Sequence, residues 1–358
     1  MYSQILTTYD LELNFMLFPY LYPKSKRTRI LPYMTIPEIF DRFNSLKVLI
    51  IGDVMLDAYT WGKVERISPE APVPVLNVRN REVRLGGAGN VVMNVQALGA
   101  EPIICSVVGR DSYGDSLLNI LKKHNLSTEG IIQSETRITT VKERIIAGSQ
   151  QIVRVDTETD KLINESERQA LIDKIKELAS DADVIIFEDY DKGVLSKELI
   201  HDIISFAKNN NIPTVVDPKK RNFLYYENAT LFKPNLKELK EGLSIQFDVK
   251  NAIELADAVA MLKNTLDLGG VFVTLSERGV YINFQDVKTA IPAHIRTIAD
   301  VSGAGDTVIS IAACCVALGL SPELIAGLSN LGGGLVCESV GVVPIEKELL
   351  KQEALMSL

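Results

Sequence analysis

Apolar residues in this 358-residue chain fall into short continuous runs separated by amphipathic stretches. From Lys47, the run Val48-Leu49-Ile50-Ile51 ends in Gly52-Asp53 and reads as a strand covered on both faces, the kind that parallel sheets contain. Comparable runs follow at Pro102 to Val108, Val184 to Phe187, Pro213 to Val216 and Val271 to Leu275. Helical periodicity fills 88–98, 114–124, 166–179, 196–209, 251–264, 305–318 and 322–337. Strands alternating with helices predict an α/β fold: a doubly wound, mostly parallel sheet flanked by helices and joined by right-handed crossovers.

Two segments, about 59–85 and 137–156, break that alternation. They carry short β-like stretches (Val73 to Val78, Thr139 to Ile146, Gln151 to Val155) with no helix between them. This predicts a small β-sheet appendage placed over the carboxyl edge of the main sheet, where ligands of open α/β folds bind, and hence a lid. Residues 1–33 read differently. They are aromatic-rich, with Phe18-Pro19, Tyr22-Pro23 and the basic cluster Lys24, Lys26, Arg27 and Arg29, and show no period. An N-terminal extension, either a flexible arm or an over-extended gene start, is expected there. Thr35-Ile36-Pro37-Glu38 has the form of a helix start and opens a domain expected over 34–350.

Composition narrows the function. At 46% hydrophobic and 23% charged the chain is ordinary for a soluble folded protein, and a net charge of −8 gives no field to attract a polyanion. Nucleic acid is not an expected partner, and any phosphate has to be bound locally. Cys105, Cys314, Cys315 and Cys337 lack CxxC or zinc-ligand spacing and read as buried thiols in a reducing compartment. No apolar run reaches the ~18 residues of a membrane span and no signal peptide is evident, so a cytoplasmic protein without a membrane partner is expected.

The strongest chemical signal is Asp300-Val301-Ser302-Gly303-Ala304-Gly305-Asp306, followed by the apolar stretch from Val308 to Ala313. Small residues opening a helix leave backbone N–H groups unpaired at the positive end of the dipole, so Gly303, Ala304 and Gly305 can receive charge developing on a transferring phosphoryl group. Asp306 beside them can take the proton of an attacking hydroxyl. A glycine-rich turn with an Asp cap has the same sequence. A second cluster, Gly86-Gly87-Ala88-Gly89-Asn90, precedes a helix, with Gly99 and Gly109 beyond. Glycine admits a polar ligand to the backbone and Asn90 can bond a sugar hydroxyl, but a tight strand-to-helix turn reads alike.

Together these two segments closely resemble the two signatures of the ribokinase family of sugar kinases, also called the phosphofructokinase B family. The match runs over about residues 46–345. Asn235-Leu236-Lys237-Glu238 resembles the family's Asn-x-x-Glu element. Val92 and Ile311 stand where the signatures prefer smaller residues. Within the family, several segments look most like those of the heptose-7-phosphate kinases: Gly52 to Asp57, Ser68-Pro69-Glu70-Ala71-Pro72-Val73-Pro74, Asp189-Tyr190-Asp191-Lys192-Gly193 and Asp217-Pro218-Lys219.

The resemblance implies ATP and Mg2+ as cofactors, a sugar phosphate as substrate and Asp306 as the base that deprotonates the anomeric hydroxyl. Gly303 to Gly305 are then the anion hole. Asp53, Asp57, Gly86, Gly87, Asn90, Asp189 and Lys192 are placed with the sugar, and Thr274, Ser276, Gly279, Asn330, Lys219 and Asn235 with the nucleotide. Glu238 would help hold the magnesium, and Asp300 and Ser302 a monovalent cation, K+. A sugar already bearing a phosphate needs a cation. Lys142 and Arg144, two apart on an expected lid strand, share a face, and which of Lys142, Arg144, Lys192 and Lys219 meets which phosphate stays open. The lid also suits pairing with a second copy, a homodimer. A ribose or fructose kinase of the same fold, or a non-catalytic sugar or nucleotide sensor, are the competing readings. His124, His201 and His294 are far apart and form no His-x-Gly-His motif, so nucleotidyl transfer to the product is expected from a separate protein.

Overall fold

In the computed structural model, which describes residues 34–294 and 296–358, helix α1 (Ile36–Phe43) opens on the Thr35/Glu38 capping box and leads into β1 (Lys47–Gly52). The expected extension over 1–33 lies outside the described residues. Then follow β2 (Val54–Ile67), β3 (Pro74–Gly87), α2 (Ala88–Ala97), β4 (Glu101–Gly109), α3 (Ser112–Lys123), β5 (Ile131–Ser134), β6 (Val141–Ala147) and β7 (Gln150–Thr157). The middle of the chain gives α4 (Glu165–Leu178), β8 (Val184–Glu188), α5 (Lys197–Asn209), β9 (Thr214–Asp217), β10 (Leu231–Phe232), α6 (Leu236–Leu243) and α7 (Ala252–Thr265). The remainder is β11 (Gly270–Thr274), β12 (Val280–Phe284), β13 (Val287–Ile291), α8 (Ala304–Ala317), α9 (Pro322–Val336) and α10 (Lys347–Ser357).

Nine strands form the main sheet in the order β13-β12-β11-β10-β9-β8-β1-β4-β5. It is parallel from β5 to β11, with an antiparallel edge of β12 and β13. The apolar runs are its centre: every residue of β8 and β9 is buried, as are Val48, Leu49, Ile50 and Ile51 of β1. One face packs Leu49, Ile51, Ile185, Phe187, Val216 and Val271 against α4, α5 and α7. Helix starts follow local chemistry. Asn164, Ser196 and Ser321 accept the backbone N–H three residues on, and Pro322 fills the first turn of α9.

A second sheet, in the order β3-β2-β6-β7, is built from the two segments that broke the βα rhythm. Two of its strands run further inward than the alternation suggested: β2 begins at Val54, with only Asp53 between it and β1, and β3 continues to Gly87, where α2 follows. The inner ends are therefore buried (Val54, Met55, Leu56, Leu85), while the outer ends, at Ile67 and Pro74, are exposed. All four cysteines are buried and unpaired. Among the described residues no helix is long and apolar enough to cross a membrane.

Candidate active site

Strand order reverses between β1 and β8. From β1 the chain builds outward through β4 and β5, then returns to the other side of β1 with β8, β9, β10 and β11. A crevice opens at such a switch point, outside the carboxyl ends of the strands. Register decides what it contains. Gly52 pairs with Glu188, Glu188 with Asp217, and Val216 with Phe232, so Lys233 follows one residue beyond the end of β10 and closes a row of Glu188, Asp217 and Lys233. All three are buried.

Helix α8 starts over this row. Gly303 is its N-cap with φ of +80°, a left-handed conformation natural to glycine. An ideal Cβ on Gly305 would stand 3.7 Å from Asp217 Oδ2 and 3.8 Å from Lys233 Nζ, ordinary contact distances, so the positive helix end lies close to both. Asp306, in the first turn, is 6% exposed. Asn90 Nδ2 donates to its Oδ2 at 2.6 Å and the Tyr190 hydroxyl to its Oδ1 at 2.8 Å. Burial pushes its pKa up to about 6, against the pull of those two hydrogen bonds and of Lys233, with Asp217 adding to the rise. Each oxygen thus has one protein donor and keeps a lone pair for a hydroxyl. An aspartate poised near neutrality, at a helix N-terminus, can accept a proton and sit beside an anion.

Glu188, Asp217 and Asp306 bring one carboxylate oxygen each to within 4.8 Å of one another. Lys233 pairs with Asp217 at 2.8 Å, whereas neither oxygen of Glu188 has a hydrogen-bond partner among the described residues. Burial, then Asp217 and Asp306, push Glu188 well above the ordinary carboxylate range. An unpartnered buried carboxylate is costly, and this hard-oxygen donor set fits a divalent cation such as Mg2+. Lys219 stands nearby, its pKa raised because Asp217, Glu238 and Glu188 outweigh the cost of burying it. Glu188, Lys233 and Tyr190 were not singled out from the sequence as site residues.

One face of the second sheet is charged. Asp57 is opposite Arg84 and Lys142, and Tyr59 is opposite Glu82 and Arg144. Arg144 binds Asp57 Oδ1 at 2.5 Å, and the Tyr59 ring lies between the guanidiniums of Arg84 and Arg144, 5.3 and 5.2 Å from its centre. A Cβ at Gly86 would collide with the Asp57 carboxylate, which explains the glycine. Lys142 from this sheet and Lys192 from the loop after β8 converge on Glu158, at 3.1 and 3.0 Å. Gly87 sits at φ of +58° where the chain turns into α2.

Two acids expected beside the sugar are placed otherwise. Asp53 is 1% exposed and accepts the backbone N–H groups of Tyr190, Lys192 and Val194, each at 3.0 Å. Asp189 is fully buried on the Asp191 N–H, Asn222 and the Tyr226 hydroxyl. Both hold the 190–194 loop.

On the far side, Asn235 bridges to Thr274 at the end of β11. Asn235 and Glu238 form a reciprocal capping box on α6, and Glu238 also binds Lys219 at 3.1 Å. The Asn-x-x-Glu spacing thus also serves as a helix start here. Ser276 and Gly279 shape the turn after β11 with positive φ, and Asn330 on α9 donates to the Pro292 carbonyl close to that turn. Asp300 accepts from the N–H and hydroxyl of Ser302 and from the Gly341 N–H. Burial alone would raise it, but these bonds hold it below the usual range.

The fold defines a class. A family model described as pfkB family carbohydrate kinase matches residues 45–348, and the chain belongs to that family. It is 40% identical over 296 residues to the bifunctional protein HldE of Campylobacter fetus subsp. fetus, covering 83% of this chain and 64% of that protein. It is 39% identical over 307 residues to the bifunctional protein HldE of Geobacter metallireducens, covering 86% and 62%. The chain spans just under two thirds of the length of these curated relatives. Phosphofructokinase-2 from Escherichia coli in complex with potassium superposes with a TM-score of 0.72 at 20% identity, over 87% of this chain and 99% of that one. Arabidopsis thaliana ribokinase complexed with ribose and ATP gives 0.66 at 14% identity, over 86% and 98%. These structures share the fold.

Proposed function

We propose that this chain transfers the γ-phosphoryl group of ATP to the anomeric (C1) hydroxyl of D-glycero-D-manno-heptose 7-phosphate, giving the 1,7-bisphosphate on the way to ADP-heptose and lipopolysaccharide core. The observation that carries this is Asp306, buried at the start of α8 between Asn90 and Tyr190. The substrate's identity is supported by the resemblance of the Ser68–Pro74 and Asp189–Gly193 segments and by the HldE relatives.

Asp306 takes the hydroxyl proton as the sugar oxygen forms its bond to the γ-phosphorus and the bond to the ADP oxygen breaks. The helix start at Gly303 to Gly305, with Lys233 and Lys219, meets the negative charge of the phosphoryl group. Glu188 and Asp217 would hold Mg2+, which when bound neutralises nucleotide phosphate charge. Glu238 acts on that side through Lys219. Thr274, Ser276, Gly279 and Asn330 border the nucleotide. Asp300 and Ser302 would hold K+; the E. coli phosphofructokinase-2 that shares the fold is a complex with potassium.

Asp57 takes sugar hydroxyls, and Lys142, Arg144 and Lys192 take the 7-phosphate. The second sheet acts as the lid, closing over the sugar so that water does not compete as acceptor. Its outer face presents Val83, Val153 and Val155, all 43–49% exposed, around Ala58, Glu143 and Ile145. Pairing of this face with a second copy makes the homodimer.

ADP release from ATP and Mg2+ tests the reading, with D-glycero-D-manno-heptose 7-phosphate set against ribose, fructose and fructose 6-phosphate and with Asp306→Asn as control. Turnover selective for the heptose phosphate and lost in the variant is expected. Turnover of another sugar alone would overturn the substrate assignment.

A further inference from the structure

The loop between β8 and α5 is an expensive piece of backbone. Asp191 and Gly193 both adopt positive φ, +56° and +89°. A non-glycine residue in that region stores strain that surrounding contacts must impose. Here they are two buried carboxylates. Asp53 gathers three backbone N–H groups, of Tyr190, Lys192 and Val194, and Asp189 is clamped by the Asp191 N–H, Asn222 and Tyr226. Burying an acid is unfavourable unless hydrogen bonds offset it, and at Asp53 all three of those bonds come from the backbone of this loop.

Of the side chains on this loop, the one that reaches Asp306 is Tyr190. The Tyr190 hydroxyl reaches Asp306 Oδ1 at 2.8 Å, from 116 residues away in sequence, while Asn90 holds the other oxygen. Lys219 Nζ stands 5.2 Å from the centre of the tyrosine ring and steadies its other side. The phenol donates and the carboxylate accepts, so the bond exists in full only while Asp306 is ionised and ready to take a proton.

We propose that Tyr190 is a positioning residue for the base, aimed by the Asp53-anchored loop to hold the Asp306 carboxylate in its reactive orientation. Together with Asn90 it fixes the plane of the carboxylate, leaving one lone pair on each oxygen for the incoming sugar hydroxyl. This rests on the kinase reading above and assigns a role to a residue which that reading does not require.

The test compares wild type, Tyr190→Phe, Asp306→Asn and the double variant, by steady-state kinetics with ATP and the preferred sugar and by thermal unfolding without substrates. Phenylalanine keeps the ring and its packing, so the fold is retained. The expected result is a kcat lower by roughly 10- to 100-fold in Tyr190→Phe, the scale of one hydrogen bond to a charged acceptor. KM for both substrates stays within about twofold, since a positioning role acts on the chemical step. In unfolding, the shifts of the two single variants are expected not to sum to that of the double variant, as for groups in direct contact. A Tyr190→Phe enzyme with unchanged kcat, or one whose loss lies in KM, would overturn the proposal. If wild type turns over no sugar, the kinase reading fails by itself, and additive unfolding shifts would then overturn the Tyr190–Asp306 coupling separately.

Discussion

Asn90 Nδ2 donates to Asp306 Oδ2 at 2.6 Å, joining the first turn of α2 to the first turn of α8 across 216 residues of chain. The two glycine-rich segments legible in the sequence are thus one site, with the amide of the first orienting the acid of the second. A Cβ at Gly303 would stand 2.9 Å from the same Asn90 nitrogen, so the helix start is shaped around this contact.

Because burial raises Asp306 to about 6, it is protonated and inactive as a base in acid. The acid limb of kcat/KM is therefore expected near pH 6, falling about tenfold per unit below it, and kcat of Asp306→Asn is expected to drop by roughly 1000-fold or more. A pH–rate profile measures both. The stability sign is opposite: the folded protein keeps a proton that an unfolded chain releases near 3.8, so this contribution is present at low pH and lost as pH rises through about 6.

Lys142→Ala or Lys192→Ala removes one of the two ammonium groups that converge on Glu158. Each is expected to raise KM for the phosphorylated sugar by about 10- to 100-fold, the value of one charge-assisted contact, and to leave KM for ATP unchanged. Initial-rate kinetics with each substrate varied in turn checks this.

Glu188, buried and raised well above its ordinary value, must lose a proton to bind a cation. Mg2+ alone is expected to raise the thermal midpoint, more at pH 8 than at pH 6, and Glu188→Gln to abolish the effect. Differential scanning fluorimetry with and without Mg2+ reads this without turnover.

Val83→Glu combined with Val155→Glu adds charge to the exposed valines on the outer face of the second sheet. Light scattering at micromolar concentration is expected to show a dimer for wild type and a monomer for the variant.

Much of the fold was readable because parallel strands buried on both faces are continuous apolar runs, as β1 and β8 show. β10 has only two residues, and α6 and α10 are short or polar, so none gave a period. Asp306 was legible because a helix N-terminus is a local feature. Glu188 and Lys233 were not, since their meeting with Asp217 depends on the register of β8, β9 and β10. Lys233 did leave one signal, a lone charge directly after the apolar Leu231-Phe232. The family resemblance placed Asp53 and Asp189 with the sugar. Only the path of the 190–194 backbone reveals that its N–H groups occupy Asp53 and help occupy Asp189, and that the side chain they deliver is Tyr190.

The most direct measurement is 31P NMR of the product formed from D-glycero-D-manno-heptose 7-phosphate, ATP and Mg2+. A new phosphate resonance coupled to the anomeric proton, with the 7-phosphate retained and ADP formed in equal amount, is the expected result. A phosphate at another carbon, or ATP consumed with release of inorganic phosphate only, would contradict anomeric phosphorylation by Asp306.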